Sequence, residues 1–231
     1  MAHPEVEGVT KFSACHDPNA LNAQRYADLA GRLLAWRDIL YQLGGVGQDP
    51  QRYGGAGYGN VSARVGPFPG PRGARGFLIT GTQTGGQRCM GLDDLCHVSR
   101  YDIDRNQVIS RGHTRPSSES MTHGAVYDLS PSIRCVLHVH IPRLWHEAAG
   151  LKLPMTGRSV AYGTIEMARE VRRLAHESRL LERQIFSMSG HEDGIVAFGR
   201  DFKEAGSALI STLAQAGTEL YARQRQLCTT T

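Results

Sequence analysis

The chain has 231 residues, 40% of them apolar, with a formal net charge of +4 and five cysteines. That length suits one α/β domain with a full core, and no run approaches the roughly 18 apolar residues that cross a bilayer. The polar N-terminus, with His3, Glu5, Glu7 and Asp17, lacks the apolar centre of a signal peptide, so a cytoplasmic protein with no membrane partner is expected.

Cys15, Cys89, Cys96, Cys135 and Cys228 are odd in number and scattered, which points to free thiols in a reducing compartment. Basic residues are almost all arginines, dispersed among acids over the whole chain, a poor footprint for nucleic acid. The three lysines, Lys11, Lys152 and Lys203, stand in polar or turn-like contexts, which disfavours imine chemistry.

In chain order, residues 1–20 read as an N-terminal extension that packs on a neighbour or stays flexible, and 21–231 as a single domain. Leu29, Leu33, Trp36, Leu40 and Leu43 recur at steps of four and three before Gly44-Gly45, an amphipathic helix over 21–43 with a glycine stop. The glycine-rich stretch 44–59 reads as loop. Short strands follow at 60–65, 76–80, 96–102 and 107–110, and their short Pro/Gly connections favour antiparallel pairing. A helix starts at Ser117 or Ser118, with Glu119 in its first turn, and ends before Pro131. A strand ending in His138-Val139-His140 comes next, then a long helix over 164–182 and strands at 185–188 and 195–198. Asp201-Phe202-Lys203-Glu204 reads as a capping box opening a C-terminal helix. This order predicts a three-layer α/β/α sandwich around a mainly antiparallel sheet.

Alternate residues of a strand share a face, so His138 and His140 aim at one point while Val139 faces the other way. That is a metal-ligand arrangement, and on the pair alone the plainer alternative is two polar residues at a sheet edge. His191, in the polar turn Ser189–Gly194, is a candidate third ligand, and Glu119 a candidate base beside the metal. Asn60, Thr80-Gly81 and Ser117-Ser118 offer amide, hydroxyl and backbone donors at strand ends or a helix start. Such places suit a phosphate, and caps or turns are the other reading.

Gly59-Asn60-Val61-Ser62, Thr80-Gly81, Arg115-Pro116-Ser117-Ser118-Glu119, His138-Val139-His140 and Gly190-His191 together resemble the class II aldolase/adducin family over roughly residues 25–222. The resemblance implies a divalent metal, usually zinc with manganese or cobalt as the other choices, on His138, His140 and His191. It implies Glu119 as acid/base and a phosphate pocket from Asn60, Thr80, Gly81, Ser117 and Ser118. It also implies a homotetramer with active sites between subunits. The expected function is a metal-dependent lyase of carbohydrate metabolism that cleaves a C–C bond of a small hydroxy-carbonyl, sugar-phosphate-like substrate through an enediolate. A decarboxylase, epimerase or dehydratase would use the same residues, and the competing class is a non-catalytic binding module like the adducin head. The loop Thr82–Gln87 and the short region between His140 and Tyr162 depart from the commoner sugar-phosphate aldolases. Tyr162 is the nearest candidate for an acid opposite the metal, with a packing aromatic as the alternative.

Overall fold

A computed structural model describes residues 9–229. Its strands in chain order are β1 (Ser13–Asp17), β2 (Gly47–Gln48), β3 (Gly57–Tyr58), β4 (Asn60–Arg64), β5 (Phe77–Thr80), β6 (Leu95–Asp102), β7 (Gln107–Arg111), β8 (Cys135–His140), β9 (Ile185–Ser187) and β10 (Gly194–Gly199). Eight of them form one sheet in the order β1-β7-β6-β5-β4-β8-β10-β9. Every pairing in it is antiparallel except β1 with β7, as the short connections predict.

Helices cover both faces. On one side α1 (Ala23–Gln42), α3 (Pro142–Glu147) and α6 (Phe202–Thr229) pack against the sheet. On the other lie α2 (Ser120–Leu129) and α4 (Ile165–Glu177). Strand β8 shows how alternation divides the core. Cys135, Leu137 and Val139 join the α1/α6 side, whereas Val136 points to the α2/α4 side. With both faces covered, all residues of β4, β5, β8 and β10 are buried.

Local signals account for most element ends. The Asn22 side chain accepts the Arg25 N–H at the start of α1, and the helix stops at Leu43 before Gly44, whose φ of 71° suits glycine. Leu33 and Leu40 of the apolar stripe are fully buried, while Leu43, at the stop, is exposed. Asp201 accepts the Glu204 N–H as a cap, and the Glu204 carboxylate accepts the Arg200 N–H, one residue earlier than a capping box requires.

Four expectations need correction. Glu119 is the residue preceding α2 rather than part of its first turn. The single helix expected over 164–182 is broken: the Ser178 hydroxyl donates to the Leu174 carbonyl, its backbone is extended, and a separate short helix α5 (Leu180–Arg183) follows. The glycine-rich loop contains the small antiparallel pair of β2 with β3, around a 3-10 turn at Tyr53–Gly55. Within the stretch read as an extension, β1 is an edge strand of the main sheet, and residues 1–8 lie outside the described residues. Cys15, Cys89, Cys96 and Cys135 are free, as expected.

Candidate metal centre

Strand β8 ends with His138 and His140 on the α2 side of the sheet, where both are fully buried. Antiparallel pairing with β10 sets Gly194 opposite His140 and Val196 opposite His138, so the β9–β10 turn returns over the two imidazoles. That turn carries His191, held by its own N–H to the Met188 carbonyl and by the Gly194 N–H to the His191 carbonyl. The three rings lie 4.7–5.3 Å apart by centroid, and one nitrogen from each falls within 4.8 Å of the others. Glu119, 1% exposed, brings Oε1 to 3.7 Å from His191 Nε2.

Burial pushes the His138 pKa down to about 3 and holds His140 and His191 well below the usual histidine range, where neighbouring cationic groups add to the effect. All three are neutral at physiological pH, the form that offers lone pairs to a metal. Nε2 of His138 and both ring nitrogens of His140 are buried without a hydrogen-bond partner among the described residues. Leaving such groups unsatisfied costs about 1–3 kcal/mol each, and a cation bound to one nitrogen of each imidazole would remove that nitrogen's share of the cost. Three neutral histidines with a carboxylate alongside form a donor set suited to zinc and similar divalent ions.

Asn60, paired with His138 across β4 and β8, places its amide 3.2 Å from His138 Nδ1. The amide oxygen and nitrogen exchange by a half-turn. As placed, Nδ2 is the amide atom that faces Nδ1; the turned amide, with Oδ1 there, would hold a proton on Nδ1 and leave the Nε2 lone pair for a metal.

The recess beside the histidines is lined by Gly57, Gly59, Asn60, Gly81, Ser117 and Ser118 among others. Four of the five residues expected to bind phosphate therefore come together. Thr80 does not line the recess: its hydroxyl accepts the Val61 N–H and ties β5 to β4. Ser117 accepts the Glu119 N–H, and Ser120 donates to the Ser117 carbonyl, which fixes the turn that delivers Glu119. An isolated antiparallel bridge between Gly81 and Pro116 joins the end of β5 to the same turn.

Several residues at the centre escape sequence reasoning. The Tyr53 ring lies edge-on to His140 at 4.7 Å, Tyr58 at 5.4 Å, and the Tyr53 hydroxyl donates to Asp193, which also pairs with Arg52 at 3.4 Å. Buried Arg37 of α1 donates to the Thr84 and Gly85 carbonyls and props the 82–87 loop. An aromatic or arginine inside a glycine-rich loop has no period to reveal it. For Tyr53 and Tyr58 the available clue is their nearness in sequence to Asn60. Tyr162 is fully buried with its ring 4.6 Å from His191, and its hydroxyl accepts the Val9 N–H. Lys11, read as part of a polar terminus, sits 4.0 Å over the Tyr162 ring. His123 is a buried histidine bonded to Ser62, and His113 pairs with Asp93 at the surface.

A mixed sheet between helix layers, with a buried three-histidine cluster at the end of an interior strand and the adjoining turn, defines an α/β protein with a site that could hold a metal. Residues 50–216 match the profile of the class II aldolase and adducin N-terminal domain, and the chain belongs to that family. Its fold is similar to L-fuculose-1-phosphate aldolase from Thermus thermophilus, at 20% identity and a TM-score of 0.62, over 87% of this chain and 96% of that one. A sugar-phosphate aldolase from Thermotoga maritima matches at 17% identity and a TM-score of 0.62, over 86% and 97% of the two chains. An aldolase II superfamily protein from Pseudomonas syringae matches at 18% identity and a TM-score of 0.56, over 89% and 79%. Among the described residues no helix is long and apolar enough to cross a membrane.

Proposed function

We propose that this chain, with residues 21–231 acting as one domain, is a divalent-metal-dependent lyase of the class II aldolase type. The observation that carries the reading is the convergence of His138, His140 and His191, all buried, with Glu119 Oε1 3.7 Å from His191. The three histidines would hold zinc, or manganese or cobalt, and a bound ion supplies Lewis-acid polarisation of a substrate carbonyl. Glu119 is the group that takes the proton from, or returns it to, the carbon beside that carbonyl. Its location on the fixed Ser117–Ser120 turn keeps the carboxylate at the centre during the transfer.

The substrate is a small hydroxy-carbonyl compound bearing a phosphate. Ser117 and Ser118 supply hydroxyl donors near the start of α2, where the dipole favours an anion, and Gly81, its N–H taken by the Asp94 carbonyl, leaves room beside them. Asn60 serves two purposes, lining that recess and orienting His138. Two of the structural relatives are sugar-phosphate aldolases, which supports the substrate class. Decarboxylation, epimerisation or dehydration would use the same centre, and product analysis distinguishes them. Oligomerisation to a tetramer and a cytoplasmic location belong to the same reading, whereas the adducin-like binding module gains nothing from a buried histidine triad.

The test is a screen of the metal-loaded protein against ketose phosphates and sugar-acid phosphates, scoring aldehyde and carbon dioxide release, with Glu119→Gln in parallel. The variant is expected to keep its metal and lose about 10²–10⁴-fold in turnover. Full activity in Glu119→Gln would remove the carboxylate from the mechanism.

A further inference from the structure

A second charged groove lies at the opposite end of β4 from the metal centre. Asn60 and Arg64 bound that strand, so the two places are about 13 Å apart at roughly 3.3 Å per residue. The groove, about 460 Å³, runs between α1, the start of α6 and the Gly66–Phe68 segment. Its walls carry Arg25, Arg32, Arg64, Arg134 and Arg200 against two acids, Asp28 and Asp201.

The two acids are already engaged. Asp28 pairs with Arg32 at 3.0 Å, and Asp201 caps α6 through the Glu204 N–H. Arg200 is neutralised by Glu204 at 3.1 Å. Arg64 is 3% exposed, donates only Nη2 to the Pro69 carbonyl, and leaves Nε and Nη1 without a hydrogen-bond partner among the described residues. No carboxylate pairs with it among those residues, and its near neighbours are the Phe68 and Tyr127 rings. A guanidinium does not give up its proton, so a full positive charge lies across the end of β4 from the groove, on the side of Ser62 and Tyr127. Exposed Arg134 lies over the outer Phe68 ring at 4.1 Å, and Arg25 reaches the same groove from α1. The field of a buried charge with two further arginines at the mouth draws anions. Leu29, Val65 and Phe68 add an apolar lining.

We propose that this groove binds a small organic anion, its phosphate or carboxylate head on Arg134 and Arg25 in the field of Arg64 and its apolar portion against Leu29, Val65 and Phe68. The site is separate from the metal centre and does not depend on the reaction assigned there.

Calorimetric titration of the full chain with phenyl phosphate, phthalate and inorganic phosphate tests it. Phenyl phosphate or phthalate should bind saturably and more tightly than inorganic phosphate. Affinity should fall with salt, fall about tenfold or more in Arg134→Met and in Arg64→Met, and persist in His138→Ala. Arg134 is exposed, so its substitution reads the site even if Arg64→Met fails to fold. The proposal is overturned if neither organic anion binds saturably, if Arg134→Met binds as the wild type does, or if His138→Ala alone abolishes binding. Inorganic phosphate binding as tightly as phenyl phosphate would remove the apolar half of the site. Dissociation of an oligomer by Arg134→Glu, with no anion bound by the wild type, would show instead that a second copy of the chain covers the groove.

Discussion

His140 has both ring nitrogens buried without a hydrogen-bond partner among the described residues, between the rings of His138, His191 and Tyr53. Few side chains tolerate that surrounding unless a cation completes it, and the same holds for Nε2 of His138. The pair is legible in the sequence because a strand's period of two is rigid: residues 138 and 140 must share a face. His191 and Glu119 are less firmly legible, as candidates that the ordered motif strengthens, since a turn and a helix start have no such period. Arg52 and Tyr53 are illegible, because their approach to the histidines depends on the fold of a glycine-rich loop. Asn60 Nδ2, 3.2 Å from His138 Nδ1, holds that ring in place. Asn60→Ala should weaken metal binding about 10–100-fold in a competition titration against a chelator while the fold persists. Unchanged affinity would show that the amide serves the recess alone.

Elements deliver these residues with little slack. Strand β8 supplies two candidate ligands from one face and Leu137 and Val139 to the core from the other, so the candidate metal centre and the α1/α6 packing share a rigid support. Leu137→Ala should cost about 2–5 kcal/mol in a denaturant titration, and a loss under about 1 kcal/mol would mean that the site collapses around the deletion. The β9–β10 turn is as confined: a Cβ on Gly190 would stand 2.3 Å from the Val160 carbonyl oxygen. Gly190→Ala should therefore displace His191 and lower metal occupancy, read by metal content per chain, and wild-type occupancy would show that the turn has room to move. The antiparallel strands are legible from alternation and turn residues. Strand β1 is not, since Ser13–Asp17 is polar and half exposed and pairs in parallel with a strand 94 residues further on. The break at Ser178 is hidden because the helical pattern of α4 runs on into α5, and a single hydroxyl bonded to the Leu174 carbonyl ends it.

The whole molecule buries several histidines in neutral form, and its stability must follow pH accordingly. Burial pushes His97 down to about 4, against an ordinary value of 6.5. Between those values the unfolded chain takes up a proton that the folded chain does not, so stability is lost as pH falls from 6.5 toward 4. Replacing His97 by Gln should flatten that slope by about one proton in chemical denaturation between about pH 6.5 and 4.5, and an unchanged slope would place the effect on other groups. At this scale the α/β/α layering is foreseeable from the order of helices and strands, and the similarity to solved structures agrees with it. Assembly is not, because nothing in one chain's periodicity reports what a second copy covers. The proposed chemistry depends above all on the metal centre. Metal content per chain, measured by plasma mass spectrometry in the wild type, His138→Ala and His191→Ala after mild purification, tests it most directly. Near-stoichiometric zinc, manganese or cobalt is expected in the wild type, with its loss in both variants. Well-folded wild-type protein that takes up no metal on reconstitution would contradict it.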